Sequence, residues 1–268
     1  MTSVLIRSTT RPASALVLAQ AGRLEVRMAD TAPEVEQAMK LRYRVFASEM
    51  GARLDGDSGL DRDGLDPWCR HLIAVDADSG EVIGTYRVLL PEQAKAAGCL
   101  YADREFDLRN LDPVRHDLVE LGRACIAPGY RNGVVLMLLW RAMRAFVATY
   151  GHQYVIGCCS VSLADGGADA ARLYRQLEAE HPIDPRWQVY PRHRLDLDRL
   201  APVGAAACLE GPEAAPVDVP ALLKGYLKAG ARILGEPHVD PQFGCADFPI
   251  MLEVGALNPR LVERMRRG

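Results

Sequence analysis

The stretch from Leu118 to Cys159 constrains this chain most. Leu118-Val119-Glu120-Leu121-Gly122-Arg123-Ala124-Cys125-Ile126 is apolar-rich and broken by Gly122, and it predicts a strand. Pro128-Gly129-Tyr130-Arg131-Asn132-Gly133 then predicts a turn, Val134 to Tyr150 a long helix, and Tyr154 to Cys159 a buried strand. A strand that feeds a glycine-containing turn at a helix N-terminus gathers backbone N–H groups and the positive end of the helix dipole in one place. That place suits a phosphate or pyrophosphate, though many α/β connections carry glycine there with no ligand.

The other elements surround this unit. Leu24 to Met28 alternates as a strand, and Thr31 with Glu34 predicts a capped helix start with Pro33 in its first turn. The helix runs to about Met50, with Val35, Met39, Tyr43 and Phe46 on one stripe. Gly51 to Pro67 is a long Gly- and Asp-rich loop of the kind that often carries function. His71–Val75 and Val82–Leu90 flank the turn Ala77-Asp78-Ser79-Gly80 as a hairpin. Short helices are expected at Pro91–Ala97, Asp169–Leu177 and Ala221–Ala229, and a basic one at Pro259–Arg267. This order predicts an α+β fold, a mixed β-sheet flanked by helices. The expected organisation is a flexible lead (1–22), a core domain (23–200), a Pro-, Gly- and Ala-rich linker or long loop (201–219) and a C-terminal extension packed on the core (220–268).

Composition excludes several classes. With 32 Lys plus Arg against 35 Asp plus Glu, the net charge of −3 argues against a protein built to grip nucleic-acid phosphates. The 7 cysteines are odd in number, form no CxxC pair, and include the adjacent Cys158 and Cys159, too close for ordinary zinc spacing. They are expected to be reduced, mostly buried thiols, and no metal is expected. No stretch reaches the roughly 20 apolar residues of a membrane span. Arg7 and Arg11 precede an apolar run ending in Ala19-Gln20-Ala21, which resembles a signal peptide, but Pro12 and Ser14 interrupt its start. A cytoplasmic protein is expected.

Charged residues recur at apolar-rich positions: Arg42 and Arg44 beside Phe46, Asp61, Asp63 and Asp66 before His71, Arg87 within a strand, and Glu120 and Arg123 within the next. Buried charges are costly unless paired, so these groups either face water or neutralise one another in a pocket. Leu41-Arg42-Tyr43-Arg44-Val45-Phe46, Asp63-Gly64-Leu65-Asp66, Gly84-Thr85-Tyr86-Arg87 and Glu120-Leu121-Gly122-Arg123 together resemble the acyl-homoserine-lactone synthases of the GNAT superfamily, which use acyl carrier protein. Asp66-Pro67-Trp68-Cys69-Arg70-His71-Leu72, Tyr130-Arg131-Asn132-Gly133, Leu138-Leu139-Trp140-Arg141 and Gly157-Cys158-Cys159-Ser160 resemble more closely a sister family, the ornithine N-acyltransferases that make lyso-ornithine lipid, sometimes labelled hemolysin-like. Leu223-Lys224-Gly225-Tyr226-Leu227, Gly235-Glu236-Pro237, Asp240-Pro241 and Ala246-Asp247-Phe248 extend that resemblance, which covers residues 24–255.

The resemblance implies a GNAT-like domain over 23–200 and transfer of a (3-hydroxy)fatty acyl group from acyl carrier protein to the α-amino group of ornithine. Glu120, with Arg123 beside it, is the implied catalytic pair; Glu120 takes the amine's proton, or is a strand carboxylate paired with Arg123 or Arg87. Backbone N–H groups near Gly122–Ile126 meet the oxyanion. Arg131, Asn132 and Gly133 receive the phosphopantetheine arm. Gly133 is followed by Val134-Val135 where the usual GNAT loop has a second small residue, which suits a carrier protein's single phosphodiester better than free coenzyme A. Asp63 and Asp66 bind the cationic amino acid while Arg42 or Arg87 takes its carboxylate; alternatively these groups form an ion-paired loop over the first helix. Phe46, Trp68 and Ser160 line the pocket. No cofactor is held permanently, the acyl-carrier thioester being a co-substrate. Arg260, Arg264, Arg266 and Arg267 suit peripheral contact with anionic lipid at the inner face of the membrane, or a solvated terminus. Rival readings are acylation of another amino acid, synthesis of an acyl-homoserine-lactone-type signal, and a non-catalytic, membrane-active lipid-binding protein. The last predicts an exposed apolar surface, whereas an enzyme requires an enclosed cleft.

Overall fold

The computed structural model describes residues 16–54, 58–200, 217–260 and 263. Its strands are β1 (Val17–Ala21), β2 (Leu24–Met28), β3 (Arg70–Asp76), β4 (Glu81–Leu89), β5 (Phe106–Asp107), β6 (Leu118–Ile126), β7 (Tyr154–Ser162), β8 (Tyr190–Pro191), β9 (Arg232–Ile233), β10 (His238–Asp240) and β11 (Cys245–Glu253). The helices are α1 (Ala32–Tyr43), α2 (Pro91–Ala97), α3 (Val134–Tyr150), α4 (Ala168–Glu180), α5 (Leu197–Leu200) and α6 (Ala221–Ala229). The main sheet runs β1-β2-β3-β4-β6-β7-β11-β10, with β9 also bonded to β11, while β5 pairs β8 apart from it. Its neighbours are antiparallel except β6 and β7, which run parallel because α3 carries the chain back across the sheet.

Local chemistry sets these boundaries. Glu34 accepts the backbone N–H groups of Asp30 and Thr31, fixing the start of α1. α1 continues without a break into a π-helical turn, Arg44–Glu49, which buries Val45 and Phe46. Neighbouring residues of a strand point to opposite faces. Gly84 on β4 therefore lies under Val135 and Leu139 of α3, and the Tyr86 hydroxyl accepts the Trp140 indole N–H and shares a hydrogen bond with the Tyr226 hydroxyl, while Arg87 turns to the other face, where Arg42 of α1 shares its carboxylate partner. α4 and α6 pack with Ala246, Phe248 and Ile250 of β11 on the α3 face. The segment from Leu100 to Leu111 packs with Leu118, Ile156 and Met251 on the α1 face.

Two expected boundaries change. Val17–Ala21, assigned to the lead, is an edge strand hydrogen-bonded to β2, because its apolar residues pack on the sheet's core. The segment from 220 onward, expected as a C-terminal extension packed on the core, supplies β11, which pairs with β7 along its whole length and stands inside the main sheet. Most of the linker, residues 201–216, and most of the basic C-terminal segment lie outside the described residues.

β6 and β7 are paired only from Leu118↔Tyr154 to Leu121↔Gly157, although both strands continue, so the sheet opens beyond that rung. At the last rung the backbones are close: a Cβ on Gly157 would stand 2.7 Å from the Leu121 carbonyl oxygen. Gly157→Ala is expected to cost about 1–3 kcal/mol in urea unfolding by forcing those strands apart. Gly122→Ala, where a Cβ meets nothing within 4 Å, is the control and changes stability by well under that.

Candidate active site

The opening between β6 and β7 leads into a cavity of about 470 Å³ that passes through the sheet. On the α3 face its walls include Tyr86, Trp140, Met143, Val147, Leu222 and Tyr226, a mainly apolar arm. On the α1 face the wall is charged, with Arg87, Glu105, Glu120, Arg123, Asp240 and Asp247. The site is thus a cleft with an oily side and an ionic side.

A guanidinium–carboxylate network forms the ionic wall's foundation. Arg42 is fully buried and spends its donors internally: Nε meets Asp61 Oδ2 at 2.7 Å, and Nη1 meets Asp66 Oδ1 at 3.0 Å. Arg87 lies 2.7 Å from Asp63, and Arg123 binds Asp61 at 3.1 Å and Asp63 at 3.3 Å. Three arginines therefore share three aspartates across α1, the long loop, β4 and β6. Arg42, Asp63 and Asp66 do not line the cavity, so Arg42 has no free edge for a substrate carboxylate; the ion-paired loop over the first helix is what forms. Arg87 does reach the cavity.

Arg123 is held in an uncommon backbone conformation, φ 51°, at a bulge where Arg123 and Ala124 oppose the single residue Tyr86. Its guanidinium lies 4.8 Å from the ring centres of both Tyr101 and Phe243. The bulge aims this side chain into the opening.

Glu120 is buried, and each carboxylate oxygen accepts one backbone N–H, from Tyr101 at 2.6 Å and Ala102 at 2.7 Å. Burial raises its pKa against those two donors. No ion pair joins it to Arg87 or Arg123 among the described residues, so the expected strand pairing does not form. Beside it stands a group that sequence reasoning passed over: Glu105, Asp240 and Asp247 bring carboxylate oxygens within 4.8 Å of one another, all three residues being buried. Burial, then the neighbouring Asp247, pushes Glu105 up to about 9, and burial raises Asp247 to about 6. Glu105 hides in the polar run Asp103-Arg104-Glu105, but the lone acid within Cys245-Ala246-Asp247-Phe248 was a readable signal of an inward-facing charge.

Phe46 and Ser160 line the cavity as expected, and Ser160 donates to Asp247 at 2.5 Å. Trp68 does not: its short 3-10 turn leaves it 43% exposed, away from the opening. Arg131 reaches the cavity wall, tied to Glu49 at 2.8 Å and to the Ile126 carbonyl, while Asn132 and Gly133 sit at the α3 N-terminus beyond the wall. Glu120 and Arg123 thus meet in one cleft, with the Gly133 turn outside it. Burial pushes the Cys125 thiol up to about 12, which keeps it protonated and unfit as a nucleophile. The six described cysteines are all free thiols.

Three stability predictions follow from this wall. Arg42→Met leaves buried carboxylates short of a partner and should cost about 3 kcal/mol or more. Arg131→Met, at an exposed pair, should cost under about 1 kcal/mol in the same urea titration. Glu105 holds its proton more tightly folded than its ordinary value of 4.5, up to about 9, so stability falls as pH rises through that window. Glu105→Gln should therefore raise the melting temperature at pH 8 and leave it nearly unchanged at pH 4.

Comparison with known proteins agrees with this geometry. Residues 41–141 match the acetyltransferase (GNAT) domain family. The L-ornithine N(alpha)-acyltransferase of Brucella abortus (strain 2308) is 33% identical over 261 residues, covering 92% of this chain and 90% of that protein. The L-ornithine N(alpha)-acyltransferase of Agrobacterium fabrum is 32% identical, covering 96% of this chain and 89% of that one. Among solved structures, the CoA-dependent acyl-homoserine lactone synthase BjaI with SAM and isopentyl-CoA superposes with a TM-score of 0.51 over 88% of this chain and 82% of its own, at 14% identity, a likeness of fold. The chain is therefore an acyltransferase of the GNAT fold and belongs to the L-ornithine N(alpha)-acyltransferase family.

Proposed function

We propose that this enzyme moves a (3-hydroxy)fatty acyl group from the phosphopantetheine thioester of acyl carrier protein to the α-amino group of ornithine, forming lyso-ornithine lipid. The observation that carries the reading is the cavity's two-sided character: an apolar arm under α3 and α6, and an ionic wall under α1, joined through the opening between β6 and β7. The names of the relatives support ornithine as acceptor. An acyl chain gains about 0.8 kcal/mol per methylene buried in such an arm.

The arm of the carrier protein runs along Arg131, Asn132 and Gly133 and enters beside Cys125 and Ile126. Arg141 and Arg144, neither ion-paired among the described residues, meet the carrier's acidic surface. Arg87 and Arg123 receive the acceptor's carboxylate. The neutral α-amine attacks the thioester carbonyl; its oxyanion is met by backbone N–H groups on the unpaired edge of β6 between Gly122 and Ile126. The C–N bond forms, the C–S bond breaks, Glu120 takes the amine's proton through a water, and that proton passes on to the departing thiolate, restoring the Glu120 carboxylate. Among the described residues no helix is long and apolar enough to cross a membrane, and an amphiphilic product suits peripheral contact with lipid at the inner face.

The test is incubation of the purified protein with 3-hydroxyacyl carrier protein and ornithine, with mass detection of an N-acyl amino acid. Amide formation is expected. No amide with any of several amines would contradict the reading. Glu120→Gln should lower kcat by about 10²–10⁴ and abolish the acidic limb of its pH profile; a full rate would remove Glu120 as the base.

A further inference from the structure

Glu105, Asp240 and Asp247 are 4%, 8% and 5% exposed, and all three line the cavity. Among the described residues, no Lys, Arg or His lies within ion-pair distance of any of them. Their partners are all neutral. Asp240 accepts the Gln242 and Phe243 N–H groups, Asp247 accepts Ser160 and the Cys245 thiol, and Glu105 Oε2 meets the Cys158 thiol at 3.5 Å. Glu105 Oε1 has no donor among the described residues, although this side chain is nearly fully buried and faces the cavity. Three ionised carboxylates this close, with no ion-pair partner, are unfavourable unless a cation joins them, and without one Glu105 keeps its proton.

Resting on the reading of the acceptor as ornithine, we infer that these three carboxylates bind its distal ammonium and select a basic amino acid over an apolar one of the same length. At the limiting 4.8 Å separation, the centre of the triangle lies about 2.8 Å from each oxygen, the distance of a charge-assisted N–H···O bond. An ammonium has three N–H donors and no acceptor; Glu105, which holds its proton at neutral pH without a cation beside it, gives that proton to solvent as the ammonium enters, and the group then offers three acceptors and no donor. The arrangement also sets the acceptor's direction. The carboxylates stand on β10, β11 and the segment before β5, while Arg87 and Arg123 stand on β4 and β6 across the opening. An acceptor spanning the two groups presents its α-amine between β6 and β7. Asp61, Asp63 and Asp66 do not serve this purpose, since their charges are already met by arginines.

The experiment compares ornithine with norvaline, which lacks only the distal amine, as acceptors in the acyl-carrier assay. It uses the wild type, Glu105→Gln and Asp247→Asn. The wild type should favour ornithine by about 100-fold or more in kcat/KM, because norvaline leaves the acids unmatched. In each variant the ornithine-to-norvaline ratio should fall to within about tenfold, carried by a loss on ornithine. A wild-type ratio near one, which needs no variant to fold, would overturn the inference. So would an unchanged ratio in both variants, or Mn²⁺ or Ca²⁺ binding one-to-one at low micromolar concentration, lost in Asp247→Asn and required for turnover. If the wild type acylates ornithine and the ratio does not move, only this assignment falls; if it acylates neither amine, the reading of function falls with it.

Discussion

The parting of β6 from β7 is the constraint on which the site depends. Two parallel strands held by four rungs, closing on the glycine contact at Gly157, must separate once their ladder ends. Both outer neighbours keep their grip: β4 follows β6 to Ile126 and β11 follows β7 to Ser162. The sheet therefore opens at its centre without fraying at its edges. Backbone groups along that inner edge lack strand partners, and in a protein interior such groups demand a ligand or solvent.

The ionic wall is built in two layers of different kind. The outer layer, Arg42, Arg87 and Arg123 with Asp61, Asp63 and Asp66, is balanced in charge; Arg42 is spent within it, while Arg87 and Arg123 also reach the cavity. It pins the loop after α1 to the sheet and holds Arg123 in its left-handed conformation. The inner layer, Glu105, Asp240 and Asp247, has no balancing cation. The acids of the outer layer are met by arginines and those of the inner layer are not, so the inner acids are the ones left to bind a cation.

Much of the scaffold was legible in the sequence. The β6–α3–β7 unit, the β3–β4 hairpin and α2 follow from periodicity, turn residues and proline placement, signals that act within a few residues. The charges at Arg87, Glu120 and Arg123 were legible as anomalies in apolar strands. Which charge meets which was not: Arg42 and Asp61 are distant in the chain, and only the packing of α1 on β4 decides that Arg42 is consumed by the scaffold. That β11, within the expected C-terminal extension, joins the main sheet depends on pairing with β7, a contact no local pattern encodes. Glu105 was invisible for a related reason, since a polar run before a two-residue strand looks like surface until Cys158 and Asp247 close over it. Trp68 erred the other way: a large aromatic next to a charged motif suggests a pocket, yet its turn projects it outward.

The most direct test of a two-sided site open through the sheet is a crystal structure with an N-acyl-ornithine bound. The expected result is an amide between Gly122–Cys125 of β6 and Gly157–Ser160 of β7. Its acyl chain would lie along Trp140, Met143 and Leu222, and its ammonium among Glu105, Asp240 and Asp247. A product lying wholly on one face of the sheet, or with its chain on the α1 side, would contradict it.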